Sequence, residues 1–155
     1  MRQQSPNTVP LLLEVGVSAL RGGDAGRYAL QAAIAALHAQ APSYAETDWP
    51  QILALYDELL KVWPSPVVAL NRAVAVAMVW GPEAGLEEIE ALESDGRLSG
   101  YRYLPATKAD LLRRLGRHPE AALAYRAALE LTDNEAERRF LSARLAESSD
   151  RRFDP

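Results

Sequence analysis

The longest apolar run of the sequence lies near its middle, at residues 64–81. Ser65 and Pro66 form a typical helix start, because serine can cap the first free amides and proline suits the first helical position. Gly81 is a typical helix end. Alternating valine and alanine between these signals is also compatible with a strand. The length of the run and its end signals favour a helix packed on all sides by protein.

This central run is too short to cross a membrane. A transmembrane helix needs about 20 apolar residues, whereas Asn71 and Arg72 interrupt the first half of the run. Near the N terminus, Glu14 interrupts the apolar residues 11–13 at once, so neither a signal peptide nor a membrane span is predicted. The expected location is cytoplasmic.

Turn-forming residues divide the whole chain into about eight helices, with no convincing strand. The run from Thr132 to Glu135 has capping-box spacing and is expected to open the last helix, and residues 148–155 are expected to form a flexible tail. The predicted helices span residues 7–21, 24–41, 48–63, 66–80, 82–95, 101–115, 119–131 and 134–147.

One spacing of small and large residues occurs three times. The three sets are Ile52, Tyr56 and Leu59; Gly85, Ile89 and Leu92; and Ala121, Tyr125 and Ala128. They define units at about 26–64, 65–98 and 101–134, with helix 134–147 as a cap, in a single domain 1–147. The expected fold is an all-α, tetratricopeptide-like, right-handed stack of about eight antiparallel helices, with three helix-pair units plus terminal helices. A generic helical bundle is the alternative.

Composition and motifs indicate no catalytic chemistry. The sequence contains no cysteine, and His38 and His118 are too far apart in sequence to form a recognisable ligand motif. The glycine-rich segment 21–26 lacks the flanking residues of a phosphate-binding loop. We therefore expect a protein that is not an enzyme and that uses no metal and no cofactor.

Charge is unevenly distributed along the chain. The formal net charge of −4 argues against direct DNA binding, which needs clustered cations. Helix 82–95 is acidic, whereas the segment 102–117 is basic. These helices either face and neutralise each other or form a two-sided surface that steers a protein partner.

The polar pair Asn71 and Arg72 inside the central helix has two interpretations. A charge there must be paired or must face a wet groove. In the first, Arg72 forms an ion pair with Asp48, Asp57 or Glu58. In the second, the pair faces a partner-binding groove, whose candidate residues are Asn71, Arg72, Met78, Tyr103, Asp110 and Arg113.

Seven strings of the sequence, in order, closely resemble the C-terminal extension of a group of bacterial extracytoplasmic-function RNA polymerase sigma factors. They are residues 30–39, 47–52, 55–57, 64–75, 81–86, 109–117 and 134–141. The resemblance covers roughly residues 26–147 and implies a tetratricopeptide-like domain. It implies regulation of transcription initiation through contacts with the sigma core domains or RNA polymerase. The promoter-binding domains of a sigma factor do not fit in this chain.

Two other functions remain open. The chain is either a free-standing tetratricopeptide adaptor that binds an unrelated peptide, or a sensor that holds a small-molecule signal in its central groove.

Overall fold

Seven α-helices and one short 3-10 turn form the regular structure of residues 24–151, the part of the chain that the computed structural model describes. These residues contain no strand, which confirms the all-α class. The helices are α1 (Asp24–Gln40), α2 (Trp49–Val62), α3 (Pro66–Trp80), α4 (Pro82–Asp95), α5 (Tyr103–Arg114), α6 (His118–Leu131) and α7 (Glu135–Asp150). The predicted helix 7–21 and the last four residues of the predicted tail lie outside the described residues.

Helix starts follow the expected capping chemistry at two positions. The Asp48 carboxylate accepts a hydrogen bond from the Gln51 amide at 3.2 Å and caps α2. The Ser65 hydroxyl accepts one from the Val67 amide, also at 3.2 Å, ahead of α3. Each such cap stabilises its helix by about 1 kcal/mol.

The start of α7 differs from the prediction. The N-cap is Asn134, whose side chain accepts from the Glu137 amide at 3.0 Å. The Thr132 hydroxyl instead donates to the Glu137 carboxylate at 2.7 Å. Thr132 therefore contacts the side chain of Glu137, and it does not cap the helix through a backbone amide.

The end of α7 also differs from the prediction. The helix reaches Asp150 rather than Glu147, and Ser148 is buried, with 1% of its surface exposed. The helix therefore includes the first residues of the predicted flexible tail.

The central helix α3 has the predicted bounds but is not packed on all sides. Leu70, Ala73 and Val76 are buried, whereas Asn71 is exposed and Trp80 has 72% of its surface exposed. The expectation of complete burial was wrong at these positions. None of the described helices combines the length and apolarity that a membrane crossing requires.

Contacts divide the chain into two compact units, Met1–Ala75 and Val76–Pro155, with the boundary inside α3. In the described part of the first unit, α1 packs against α2. The core there includes Leu30, Ile52 and Leu59, each almost fully buried. Burial of each such side chain stabilises the fold by about 1.5–3 kcal/mol.

In the second unit, each helix from α4 to α7 packs against the next one in sequence. Ala121 and Ala128 of α6 are fully buried, and Tyr125 lies almost fully buried between them in the sequence. Small side chains at these positions let the neighbouring helices approach α6 closely. This packing places α5 and α7 so that both contribute to the grooves described below.

Candidate functional site

An apolar groove of the second unit lies between α5 and α7. We call it the α5–α7 groove; its volume is about 400 Å³ and its lining residues are Arg102, Tyr103, Ala106, Ala136, Glu137, Phe140 and Leu141. The α7 residues follow helical spacing and so share one face of that helix. Phe140 and Tyr103 have 59% and 42% of their surfaces exposed. Exposed aromatic side chains around an apolar groove are typical of a protein-binding surface.

A charged pair borders this groove. Arg102 Nε lies 2.8 Å from Glu137 Oε2, and Arg102 Nη2 donates a hydrogen bond to Glu137 Oε1 at 3.4 Å. The Tyr103 hydroxyl donates to Glu137 Oε1 at 3.0 Å, and the Arg102 guanidinium lies over the Tyr103 ring at 4.7 Å. These contacts fix the Tyr103 ring at the edge of the groove.

Glu137 is held in its ionised form by its neighbours. Its pKa lies below the ordinary glutamate value, first because the Thr132 hydroxyl donates to it. The Tyr103 hydroxyl and the positive charge of Arg102 lower this pKa further. The edge of the groove therefore carries a stable negative charge next to a positive one.

A second groove lies within the first unit, and we call it the α1–α3 groove. Its volume is about 280 Å³ and its lining residues are Gln31, Ile34, Ala35, His38, Tyr56, Leu59, Trp63, Val67, Val68 and Asn71. Burial raises the pKa of the Tyr56 hydroxyl, which therefore stays protonated. This groove combines apolar walls with a few polar groups, the usual composition of a small-molecule site.

The predicted residues Asn71 and Arg72 have different surroundings. Asn71 lines the α1–α3 groove. Arg72 Nε lies 2.6 Å from Asp57 Oδ1, so the ion pair considered from the sequence is present. Because the Asp57 side chain is nearly half exposed, this pair contributes at most about 1 kcal/mol of stability.

Three other predicted residues belong to one polar network in the second unit. Asp110 accepts from Arg113 Nη2 at 2.7 Å and pairs with Arg114 Nη2 at 3.0 Å. Arg114 Nη1 also donates to the sulfur of Met78 at 3.4 Å. Arg113 further lines a small basic pocket with His118. Of the six predicted residues, only Tyr103 lines the α5–α7 groove.

An ion pair joins the acidic and the basic helix. Lys108 of α5 pairs with Glu93 of α4 at 2.8 Å. Among the other cations of the basic segment, Arg102 pairs with Glu137 of α7, Arg113 and Arg114 pair with Asp110 within α5, and Arg117 pairs with Glu120 of α6. The charge contrast thus brings α4 and α5 together through Lys108 and Glu93.

The two histidines differ in their environment. His38 is exposed, and its ring packs edge-to-face against Trp49 at 5.3 Å. His118 is half buried at the first position of α6. Within residues 24–151, no three histidine, aspartate or glutamate side chains gather in a way that suits a metal ion.

Phe140 and Glu137 are two of the residues of the α5–α7 groove that sequence reasoning missed. Phe140 is the only phenylalanine in a helix whose other residues are mostly polar. An isolated aromatic residue on a polar helix indicates either a core contact or a binding surface, and the sequence contains no signal that distinguishes them. Only the packing of α7 on α6 in the structure shows which of the two applies to Phe140.

No protein-family model matches this chain. Over 127 residues, which are 82% of its length, the chain is 46% identical to an uncharacterized protein of Rhizobium meliloti (strain 1021). The chain spans 30% of the length of that relative. The relative is thus more than three times as long as the matched segment, and its name states no activity.

Proposed function

We propose that this chain is a regulatory protein–protein interaction domain of a sigma factor, which acts in the cytoplasm without catalysing a reaction. Its partner is a segment of the sigma core domains or of RNA polymerase, with a large apolar side chain next to a charged one. The α5–α7 groove receives that segment. The observation that carries the assignment of the site is the pair of exposed aromatic side chains, Tyr103 and Phe140, around this groove.

The groove has the composition that such a partner needs. Apolar floor residues remove an anchoring side chain from water, which is the main source of binding energy at interfaces. The Arg102–Glu137 pair at the edge offers either sign of charge to the flanking residue of the partner. Charge complementarity of this kind sets orientation and association rate more than affinity.

The wider assignment rests on the resemblance of residues 26–147 to the sigma-factor extension. The similarity to a relative of which the chain spans 30% supports a role as one domain among others. In such an arrangement, the core domains that it regulates belong to the same polypeptide, so the effective concentration of the partner is high and weak contacts suffice.

We further propose that the helices follow a tetratricopeptide-like pattern. Burial at the repeated positions supports this, because Ile52, Gly85 and Ala121, the first residues of the three sets, are each buried. The packing of α1 on α2, and of each helix from α4 to α7 on the next one in sequence, also agrees with such a pattern. Repeats of this kind commonly present binding surfaces between their helices.

Deletion of this domain from the longer polypeptide tests the proposal. Promoter-specific transcription by the truncated factor, measured with purified RNA polymerase, is expected to differ from that of the intact factor in level or in its response to the inducing condition. Transcription that is unchanged by the deletion under every inducing condition contradicts the proposal. Circular dichroism of the truncated factor checks that its core remains folded.

The alternative is a free-standing adaptor that binds a peptide or a small-molecule signal. The α1–α3 groove favours this alternative, because its apolar walls carry Gln31, His38 and Asn71 as polar groups that orient a ligand. Under this alternative a ligand raises the unfolding temperature of the wild-type chain but not that of Asn71→Leu. Deletion of the domain then leaves transcription unchanged.

A further inference from the structure

Three of the residues that line a small pocket of the second unit have a buried polar atom without a hydrogen-bond partner. The pocket has a volume of about 110 Å³ and is separate from the α5–α7 groove. We call it the basic pocket; its lining residues are Arg113, His118, Arg144, Glu147, Ser148 and Arg151. One water molecule needs about 10–15 Å³ on this measure of volume, so the pocket has room for a ligand larger than water.

The unpartnered atoms are Arg113 Nε, His118 Nδ1 and Ser148 Oγ. Ser148 is the most deeply buried, with 1% of its surface exposed. A buried polar group without a partner costs about 1–3 kcal/mol, and native proteins rarely keep several in one place. The cluster therefore indicates a ligand that accepts hydrogen bonds from these groups.

The charges of the pocket favour a negative ligand. The lining of the pocket contains three arginines and one carboxylate, Glu147. Arg144 Nη1 pairs with Glu147 Oε2 at 3.1 Å, and Arg113 pairs with Asp110 outside the lining at 2.7 Å. Arg151 pairs with no carboxylate in the described part of the chain. His118 begins α6, and the side chain of the N-cap residue Arg117 makes no capping hydrogen bond. The positive end of the α6 dipole therefore points toward the pocket.

Each of the three hydrogen-bond donors belongs to a different helix. Arg113 belongs to α5, His118 to the start of α6, and Ser148 to α7. The Nη2 atom of Arg113 is bound to Asp110 at 2.7 Å, so its Nε–Nη2 edge cannot grip a planar carboxylate with two bonds. Single donors from separate directions match a tetrahedral oxyanion better than a planar one.

We propose that the basic pocket is a binding site for a phosphate group, either the free ion or a phosphate monoester. Arg113 Nε, the Ser148 hydroxyl and the Nδ1–H group of His118 donate hydrogen bonds to its oxygens, and Arg151 adds positive charge. This site is independent of the sigma-factor function proposed above.

The test uses the full 155-residue chain at pH 7.5 and constant ionic strength. Thermal unfolding is measured against increasing inorganic phosphate, glycerol phosphate and acetate. A ligand that binds only the folded state raises the unfolding temperature in a saturable way. Phosphate is expected to do so for the wild-type chain and acetate is not. A larger effect of glycerol phosphate than of inorganic phosphate identifies a monoester as the ligand, and a smaller one identifies the free ion.

Ser148→Ala is the decisive variant because it removes one donor with almost no change of shape. Its phosphate affinity is expected to fall about tenfold, as for loss of one hydrogen bond to a charged group. Without phosphate it should be at least as stable as the wild-type chain, since an unpartnered hydroxyl has gone. Ser142→Ala, at an exposed serine of the same helix, is the matched control and should bind normally.

A second pair of variants separates the site from general charge effects. Arg151→Gln is expected to weaken phosphate binding, whereas Arg139→Gln, at an exposed arginine outside the pocket, is not. Equal responses of the wild-type chain and Ser148→Ala to phosphate would overturn the proposal. So would an equal loss of affinity in the two arginine variants.

Discussion

At the scale of single residues, Glu137 has the most contacts that bear on the α5–α7 groove. Thr132, Tyr103 and Arg102 all stabilise its negative charge, so its pKa in the folded chain lies below that of the unfolded chain. A depressed carboxylate pKa stabilises the fold above the pKa of the unfolded state, and this contribution is lost as the pH falls through the folded pKa.

The substitution Glu137→Gln tests this linkage. At pH 7 the variant should unfold at lower urea concentration than the wild-type chain, because glutamine lacks the charge that Arg102 faces. The difference should shrink as the pH falls below about 4.5, the reference value of glutamate, since both side chains are then neutral. Urea midpoints measured between pH 7 and pH 3 give the comparison.

Glu130→Gln is the control for this pH series, because Glu130 is exposed on α6. Its midpoint should stay close to that of the wild-type chain at every pH. Asp95 and Glu120 also have depressed pKa values, owing to Arg97 and Arg117, so the wild-type chain itself loses stability in acid. A Glu137→Gln difference that stays constant across the pH range would show that the charge of Glu137 has no role.

Capping residues were predictable from sequence only where one candidate stood alone, as Ser65 does before Pro66. Before α2 the sequence allows either Thr47 or Asp48, and the structure selects Asp48. Before α7 the sequence offers two candidates, because both Thr132 and Asn134 have a glutamate three residues later. The structure selects Asn134, since the Thr132 hydroxyl bonds to the Glu137 side chain. The sequence spacing alone does not show which of the two residues caps the helix.

At the scale of helices, α6 has one face that tolerates no added volume. Ala128 is fully buried against its neighbours, whereas the adjacent Ala127 is exposed. Ala128→Leu should therefore destabilise the chain by about 1–3 kcal/mol, because extra methylene groups force neighbouring helices apart. Ala127→Leu, with the same change of side chain one residue earlier, should alter stability by about 0.5 kcal/mol or less.

Denaturant unfolding of the two variants checks this prediction. Similar midpoints for Ala128→Leu and Ala127→Leu would mean that α6 is not tightly packed on that face. The test also bears on the repeat pattern, since Ala128 occupies one of the positions that recur in the sequence.

Helix periodicity predicted all seven described helices to within a few residues. Apolar spacing, prolines and glycines contain that information. The end of α7 was missed because Ser148 and the residues around it are polar, while Ser148 is nevertheless buried. The spacing of apolar residues does not indicate that a polar residue such as Ser148 is buried.

At the scale of the whole molecule, the candidate site was the least predictable feature. The six residues proposed from sequence lie in different places: Asn71 in the α1–α3 groove, Tyr103 in the α5–α7 groove, and Arg113 in the basic pocket. Grooves depend on which helix faces meet in space, and residues such as Tyr103 and Phe140 are more than 30 positions apart in sequence. The local sequence pattern of each helix does not show which faces of different helices pack together.

We propose that the α5–α7 groove binds the sigma core domains, and calorimetric titration of the chain with those purified domains measures this binding. The wild-type chain is expected to bind, and Phe140→Asp is expected to bind at least tenfold more weakly, since a hot-spot aromatic contributes about 2 kcal/mol or more. Leu123→Asp, at a similarly exposed apolar residue outside the groove, should bind like the wild-type chain. Thermal unfolding should show that both variants are folded. No binding by the wild-type chain, or binding by Phe140→Asp as tight as that of the wild-type chain, would overturn the proposal that the α5–α7 groove binds these domains.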